Sequence, residues 1–418
     1  MSPDSALQAA FAAQMNRFCA AATIRQLGVA VSGGGDSMAL LRLAHSWACQ
    51  RDMTLHIATV DHGLRAQSAQ EAAMVARCAA RLGLSHQTLH WRGWDGHGNL
   101  QDMARQARKH LLSGWAQQQG LDAVALGHTR DDQAETLLMR LARGSGVEGL
   151  AAMPARDIAH GSTWLRPLLD MGRARLRDYL RALSEDWVDD PSNLDTSFDR
   201  VKARQALDLL APLGLDMERL ARTAQRMRAA TQSLDFLTDT LAAQILRVDH
   251  GDFIFDAGAL DALPQDTRTR LVARALQAIS GNPYRPRLDA LTTALRNPSR
   301  TTLHGCMLTR TKGQLRITRE YNAVARTRAP LGSAWDGRWH LHPPAALPKT
   351  APLLHIAALG PKGADQCRPR DRWRLPYASL LASPAIWQDT TLVAAPLAMP
   401  DCGWQAKTRD LWPRTQLS

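Results

Sequence analysis

The stretch Ser32-Gly33-Gly34-Gly35-Asp36-Ser37 carries the residue types of an anion cradle. Glycines let backbone N–H groups approach phosphate oxygens, and the N-terminus of a following helix adds partial positive charge, so such a loop can hold phosphate without a side-chain cation. The lysine of the commonest phosphate loop, which stabilises charge during transfer of a terminal phosphoryl group, is missing. With Asp36 placed to hold Mg²⁺ near a gripped pyrophosphate, the string suits attack at the α-phosphate of ATP, which leaves an adenylate and releases pyrophosphate. A second group, His128, Asp132 and Glu135, is spaced by four and three, so one imidazole and two carboxylates share a face once a helix begins near Asp131. A carboxylate there could bind an ammonium group or, in the case of Asp132, join Asp36 on Mg²⁺. A carboxylate or neutral imidazole could accept the proton an attacking amine must lose.

These residues need a scaffold that brings them to one edge. Short apolar runs, GVAVS (28 to 32), TLHIATVDH (54 to 62), SHQTLHW (85 to 91) and DAVALGH (122 to 128), recur at roughly 30-residue intervals, each followed by apolar residues at helical spacing. Ser68 and Asn99 are N-cap candidates for two of those helices. The alternation predicts right-handed βαβ units and a doubly wound parallel sheet, with ligands bound outside the carboxyl ends of the strands, where VSGGGDS, VDHGLR and LGHTRDD fall. From about 215 the pattern changes to long helices, and CMLTRTKGQLRITRE reads as a β-hairpin turning at Thr311-Lys312-Gly313-Gln314. Residues 326 to 350, rich in Pro, Ala and Gly, read as a linker.

At 418 residues the chain is long enough for two or three domains. Residues 1–200 hold 21 basic and 21 acidic side chains, while 201–418 hold 30 and 18, so the whole net charge of +12 lies in the second half. A neutral first half that does chemistry and a basic second half that holds a polyanion is the expectation. The six cysteines are scattered without metal-ligand spacing and read as reduced, mostly buried thiols. No stretch approaches the roughly 20 apolar residues that span a bilayer, and the N-terminal MSPDSALQAAFAAQMNRF has an acid where a signal peptide needs positive charge. The expected location is cytoplasmic, with no membrane partner.

The string S-G-G-x-D-S resembles the PP-loop signature of ATP pyrophosphatases, enzymes that adenylate a carbonyl-like carbon so that a nucleophile can displace AMP. Further strings follow in order: Asp61-His62-Gly63-Leu64-Arg65 with Ser68 and Glu71; Asn99-Leu100-Gln101 and Ala104-Arg105; Gly127 to Thr136; Leu141 to Gly146 with Gly149-Leu150; Arg166-Pro167-Leu168-Leu169; and Asp190-Pro191-Ser192-Asn193-Leu194-Asp195 with Phe198-Asp199-Arg200. Over roughly the first 205 residues this set resembles the tRNA(Ile)-lysidine synthetases. The resemblance implies a Rossmann-like PP-loop domain (adenine nucleotide alpha hydrolase-like) at 1–212, a mostly helical substrate-binding domain at 213–325 and a small basic α+β tRNA-binding module at 335–418. It implies a ligase that uses ATP and Mg²⁺ to adenylate carbon 2 of the wobble cytidine in tRNA(Ile) with a CAU anticodon. The amine of free L-lysine then displaces AMP, the new lysidine reads AUA instead of AUG, and charging changes from methionine to isoleucine. Ser32 to Ser37 would hold ATP, and Asp36, His128, Asp132, Glu135 and Arg105 would be catalytic, Arg105 neutralising the transition-state phosphate or the lysine carboxylate. Dimers occur in the family, so a homodimer is compatible with it. The usual Arg-Asn-x-x-Arg is replaced here by Arg200-Val201-Lys202-Ala203-Arg204. Two other readings compete. A PP-loop tRNA thiolase is disfavoured by the unpaired cysteines. An RNA-binding protein that senses ATP without chemistry is disfavoured because binding alone needs the glycines more than three acids.

Overall fold

The computed structural model describes residues 3–63, 68–92, 100–189, 199–296, 299–344, 354–367 and 369–412. Leu64, Arg65, Asn99 and residues 190–198 lie outside the described residues, and so does Arg368 of the basic CRPRDRWR string. The chain divides into two compact units, residues 1–231 and 232–417, with the division inside one long helix. The boundaries expected at 212/213 and 325/335 do not coincide with this division.

The first unit begins with α1 (Pro3–Ala21) and then alternates strand and helix: β1 (Gln26–Ala30), α2 (Gly35–Ala48), β2 (Thr54–Asp61), α3 (Ser68–Arg81), β3 (Ser85–His90), α4 (Leu100–Gln118), β4 (Ala123–Leu126) and α5 (Arg130–Ala142). A single turn α6 (Val147–Leu150), the hairpin β5 (Arg156–Ala159) and β6 (Ser162–Leu165), α7 (Arg173–Ala182), α8 (Asp199–Leu210) and α9 (Met217–Ile245) follow. The sheet order is β3-β2-β1-β4-β6-β5, with every neighbouring pair parallel except β5 and β6. This is the expected doubly wound sheet. Its central strands are apolar on both faces because helices cover both: Leu27, Val29, Ile57 and Ala125 pack with α2, while Ala30, Ala58, Val124 and Leu126 pack with Leu112 and Trp115 of α4. Chain order reverses direction between β1 and β4, so the carboxyl ends of those two strands form the crevice. The β5–β6 hairpin, which turns on His160 and Gly161 with φ of 54° and 73°, leaves no trace in the apolar periodicity. Leu220 and Ala224 of α9 pack with Ala134 and Leu137 of α5, so the first turns of α9 belong to this unit's core.

The second unit contains more strand than its helical periodicity announces. An antiparallel sheet of order β7-β8-β11-β10-β9 is built from β7 (Leu246–Asp249), β8 (Asp252–Asp256), β9 (Arg300–Leu303), β10 (Cys306–Thr311) and β11 (Gln314–Arg319). β10 and β11 form the expected hairpin, with Thr311 opposite Gln314. Helices α10 (Ala257–Asp261), α11 (Gln265–Ser280) and α12 (Leu288–Arg296) accompany this sheet, and Leu271, Leu276 and Leu291 share a core with Phe253, Phe255 and Ile317. After α13 (Tyr321–Val324) come β12 (Arg328–Pro330), β13 (Trp339–His342), β14 (Leu354–Ala358), α14 (Gly360–Gln366), α15 (Tyr377–Leu381), β15 (Pro384–Gln388), β16 (Thr391–Ala394) and β17 (Gln405–Thr408). They form sheets of order β12-β14-β15-β16 and β13-β17.

The expectation of a linker at 326–350 is wrong over its described part. Trp335, Arg338 and Trp339 are at most 3% exposed, and the composition that suggested a linker conceals three large anchors. Cys78, Cys306 and Cys367 are buried, Cys19 and Cys402 half-buried and Cys49 exposed, all as free thiols. Among the described residues no helix is long and apolar enough to cross a membrane.

Candidate active site

The loop after β1 is shaped by three local devices. Gly33 has φ +89°, a left-handed conformation that a side chain would strain. Ser37 Oγ accepts from Ser32 N (3.1 Å) and donates to Gly34 O (2.8 Å), closing the loop on itself. Gly34 caps α2 without a side-chain acceptor, so the first turn of α2 presents its N–H groups to a ligand rather than to its own cap. From far along the chain, Val188 N donates to Gly33 O (2.9 Å) and Val188 bridges Gly34 as a one-residue parallel strand. The neighbouring Trp187 leaves Gly35 room for little beyond a methyl, its ring lying 3.4 Å from where a Cβ would stand.

A cavity of about 300 Å³ opens at the ends of β1 and β2, lined by Ser32, Gly34, Thr59, His62, Glu71 and Arg108 among others. Asp61, at the end of β2, accepts from Ser68 Oγ (2.6 Å) and Gly63 N (2.8 Å), and these bonds hold its carboxyl below the usual carboxylate range. Ser68, the proposed cap of α3, thus donates its hydroxyl proton to the preceding strand end.

The acids gather on the other side of the loop. α5 starts with a capping box in which Thr129 N donates to Asp132 Oδ2 (2.8 Å) and Thr129 Oγ1 accepts from Asp132 N. Gly127, just before it, must be small: a Cβ there would lie 3.1 Å from the Ser37 Cα. That contact presses the start of α5 against the start of α2. Glu135, with no solvent exposure, lies one turn further along α5. α7 docks its own first turn here, Arg173 N donating to Asp131 Oδ2 (2.9 Å).

Three helix N-termini thus converge on Asp36, Asp132 and Glu135, each favouring negative charge. Into their midst reaches the Arg173 guanidinium, with Nε 3.0 Å from Asp36 Oδ2, Nη1 3.4 Å from Glu135 Oε1 and Nη2 3.5 Å from Asp132 Oδ1. Arg204 Nε also donates to Glu135 Oε1 (3.0 Å). Even so, Asp36 Oδ1 and Glu135 Oε2 are buried without a hydrogen-bond partner. Buried acceptors of this kind are costly unless a donor or cation meets them.

The electrostatics of the three groups differ. Burial raises the Asp36 carboxyl above its ordinary value despite the pull of Arg173. For Asp132, burial pushes upward, but Arg173, His128 and the Thr129 N–H together hold it below the usual range. His128 is driven well below the usual imidazole value by burial, with Arg108, Arg166 and Arg200 adding to the effect against Asp132. Its ring is neutral at physiological pH, and its Nδ1 is buried and unpartnered.

The structure brings Asp36, Asp132 and Glu135 together and couples His128 to Asp132. It does not bring Arg105 to them. Arg105 is exposed on α4 and touches none of the three carboxylates; burial first, and the Arg105 charge after it, depress the pKa values of Arg108, Lys109, Arg140 and Arg166. Arg173 escaped the sequence reading, and Arg204 entered it only as the last residue of a motif, without a role. The signal for Arg173 was available in principle, since three converging carboxylates demand a cation and Arg173 closely follows Arg166-Pro167-Leu168-Leu169. Val201, where the family's usual pattern has Asn, is buried, while Arg204 keeps the final position and pairs with Glu135. Among the described residues no cluster of three side chains suits a metal by itself. Two carboxylates, one with an unpartnered oxygen, fit the habit of Mg²⁺, which takes one or two carboxylates and fills its shell with substrate phosphates and water.

Comparison with known proteins adds the following. Residues 7–209 match the PP-loop domain family. The chain is 47% identical over 386 residues to a tRNA(Ile)-lysidine synthase of Ruegeria pomeroyi, covering 92% of this chain and 91% of that protein. It is 45% identical over 263 residues to a tRNA(Ile)-lysidine synthase of Bradyrhizobium diazoefficiens, covering 60% of this chain and 73% of the relative. Among solved structures, the U34-tRNA thiolase NcsA from Methanococcus maripaludis aligns with 17% identity and a TM-score of 0.43, over 49% of this chain and 71% of its own.

Proposed function

The chain belongs to the tRNA(Ile)-lysidine synthase family, and from that premise we propose how its own residues carry out the reaction. It is an ATP-using ligase that forms lysidine in tRNA(Ile). In our reading the loop Ser32 to Ser37 grips the pyrophosphate of ATP through backbone N–H groups at the start of α2, and the cavity between the ends of β1 and β2 receives the nucleoside. Carbon 2 of the wobble cytidine attacks no one; it is the electrophile, its carbonyl oxygen bonding to the α-phosphorus as pyrophosphate leaves. The ammonium of free L-lysine is held by Glu135 and loses a proton, and the freed amine displaces AMP from carbon 2.

His128 is suited to receive that proton in one respect and unsuited in another. It is neutral and therefore an acceptor, but its depressed pKa makes it a weak base. In this reading the proton goes to Glu135, which keeps one buried oxygen without a partner, and His128 serves as a neutral hydrogen-bonding group near Asp132. Asp36, through its unpartnered Oδ1, and Asp132 would hold Mg²⁺. When bound, that ion offsets the charge on the phosphates during attack. The exposed Arg105 contributes, with the more buried Arg108, Arg140 and Arg166, a positive field suited to the RNA backbone. The reaction belongs in the cytoplasm with its tRNA.

The observation that carries this reading is the convergence of Asp36, Asp132 and Glu135 beside a lysine-free phosphate loop at the sheet's switch point. Incubation with labelled lysine, ATP, Mg²⁺ and tRNA(Ile) bearing a CAU anticodon should place label in the tRNA in step with AMP and pyrophosphate release. Sulfur transfer without lysine incorporation would replace this reading with thiolation.

A further inference from the structure

Arg173 stands in an awkward place for a helix and a useful one for the acids. It is the first residue of α7, where the macrodipole disfavours a cation. Its backbone and side chain are anchored separately: the N–H binds Asp131, while the guanidinium spans Asp36, Asp132 and Glu135. The side chain can therefore leave the carboxylates without moving the helix. Its pKa is raised, because the three acids outweigh burial. The guanidinium meets each acid through one oxygen only, and Asp36 Oδ1 and the fully buried Glu135 Oε2 still face the site without a partner.

We infer that Arg173 is a resident counter-cation that occupies the carboxylates in the free enzyme and exchanges with the cation that arrives with ATP. This positioning role rests on reading Asp36 and Asp132 as cation ligands. Without some positive charge, three carboxylates at this separation would repel one another and take up protons. With Arg173 in place they stay ionised and aligned, but a free divalent ion must displace a multidentate guanidinium to bind. An ion that comes with phosphates meets a different balance, because the displaced guanidinium can turn to the phosphates beside Asp36. The device makes cation binding conditional on nucleotide. If the arginine-paired state accounts for about 90% of the free enzyme, the affinity for a bare cation is lowered about tenfold.

The test is direct binding of Mn²⁺ to the full chain, read by the loss of the free-ion electron paramagnetic resonance signal, with and without ATP. Arg173→Gln should bind Mn²⁺ without nucleotide about tenfold more tightly than the unaltered protein, and ATP should enhance its binding correspondingly less. Arg173→Lys, a point charge that cannot span three carboxylates, should fall between the two. Unchanged or weaker Mn²⁺ binding by Arg173→Gln, with its unfolding midpoint preserved, overturns the inference. If Arg173→Gln does not fold, Arg173→Lys decides: tighter binding supports exchange and equal binding overturns it. None of these measurements uses lysine or tRNA, so failure of the lysine-labelling experiment leaves this result standing, and the reverse also holds.

Discussion

Two arginine–carboxylate networks, one in each unit, look alike by composition and differ in what they leave unmet. In the second unit Asp336 accepts from Arg319 Nε (3.1 Å), Arg319 Nη2 (3.2 Å), Arg338 Nε (3.1 Å) and Arg338 Nη2 (2.8 Å), and Arg338 Nη1 donates to Gly251 O (3.3 Å). One acid is surrounded by two bases, and both carboxylate oxygens are used. In the first unit three acids share Arg173 and Arg204, and two buried carboxylate oxygens have no partner. Burial and pairing are common to both. The unfilled oxygens distinguish a network that has finished its work on folding from one arranged to receive a ligand.

That contrast can be broken in order of expected effect. Asp336→Ala should leave the buried Arg338 without its counter-charge and destabilise the second unit by about 3–5 kcal/mol, read in denaturant unfolding, with ATP affinity of the folded fraction unchanged. A loss of ATP affinity as large as the loss of stability would erase the distinction between the networks. Asp36→Asn should do the converse. Pyrophosphate release should fall by about 10²–10³-fold, tRNA binding and the unfolding midpoint staying close to those of the unaltered protein. Normal adenylation with weakened tRNA binding would reverse the assignment of roles.

The smallest effect concerns pH and sharpens the comparison. Because the folded-state pKa of His128 lies well below that of an unfolded histidine, the unfolded chain binds the proton first. Stability is full above the unfolded value of about 6.5, and an increment on the order of 1 kcal/mol is lost as pH falls from 7 to 6. His128→Asn should remove that increment from the pH dependence of unfolding. An unaltered slope would mean that His128 titrates freely.

Much of the first unit was legible because its signals are local. Apolar runs such as DAVALGH carry strand period and strand-end chemistry in one string, and the spacing of His128, Asp132 and Glu135 placed a helix start near Asp131, one residue from where α5 begins. Val188 was not legible, and Arg173 only indirectly through the cation its acids demand, because neither resembles a site residue until the fold sets it against Gly33 or Asp36. For Arg105 the motif position fixed its helix, and the fold adds that it stands exposed on α4, apart from the three acids. In the second unit Trp335 and Arg338 lie in a stretch whose Pro, Ala and Gly content outweighed them. Alternation in β7 to β9 was too short to separate from the helices around it.

The bond from Val188 N to Gly33 O gives the order of synthesis a bearing on activity. Gly33 leaves the ribosome early, but its carbonyl must wait for a donor on the order of 150 residues later, and closing so long a connection is entropically demanding. The nascent chain therefore passes through a period in which its glycine loop exists as sequence and is incomplete as a receptor. Nucleotide would be engaged late, when most of the surrounding unit has emerged and can fold around it.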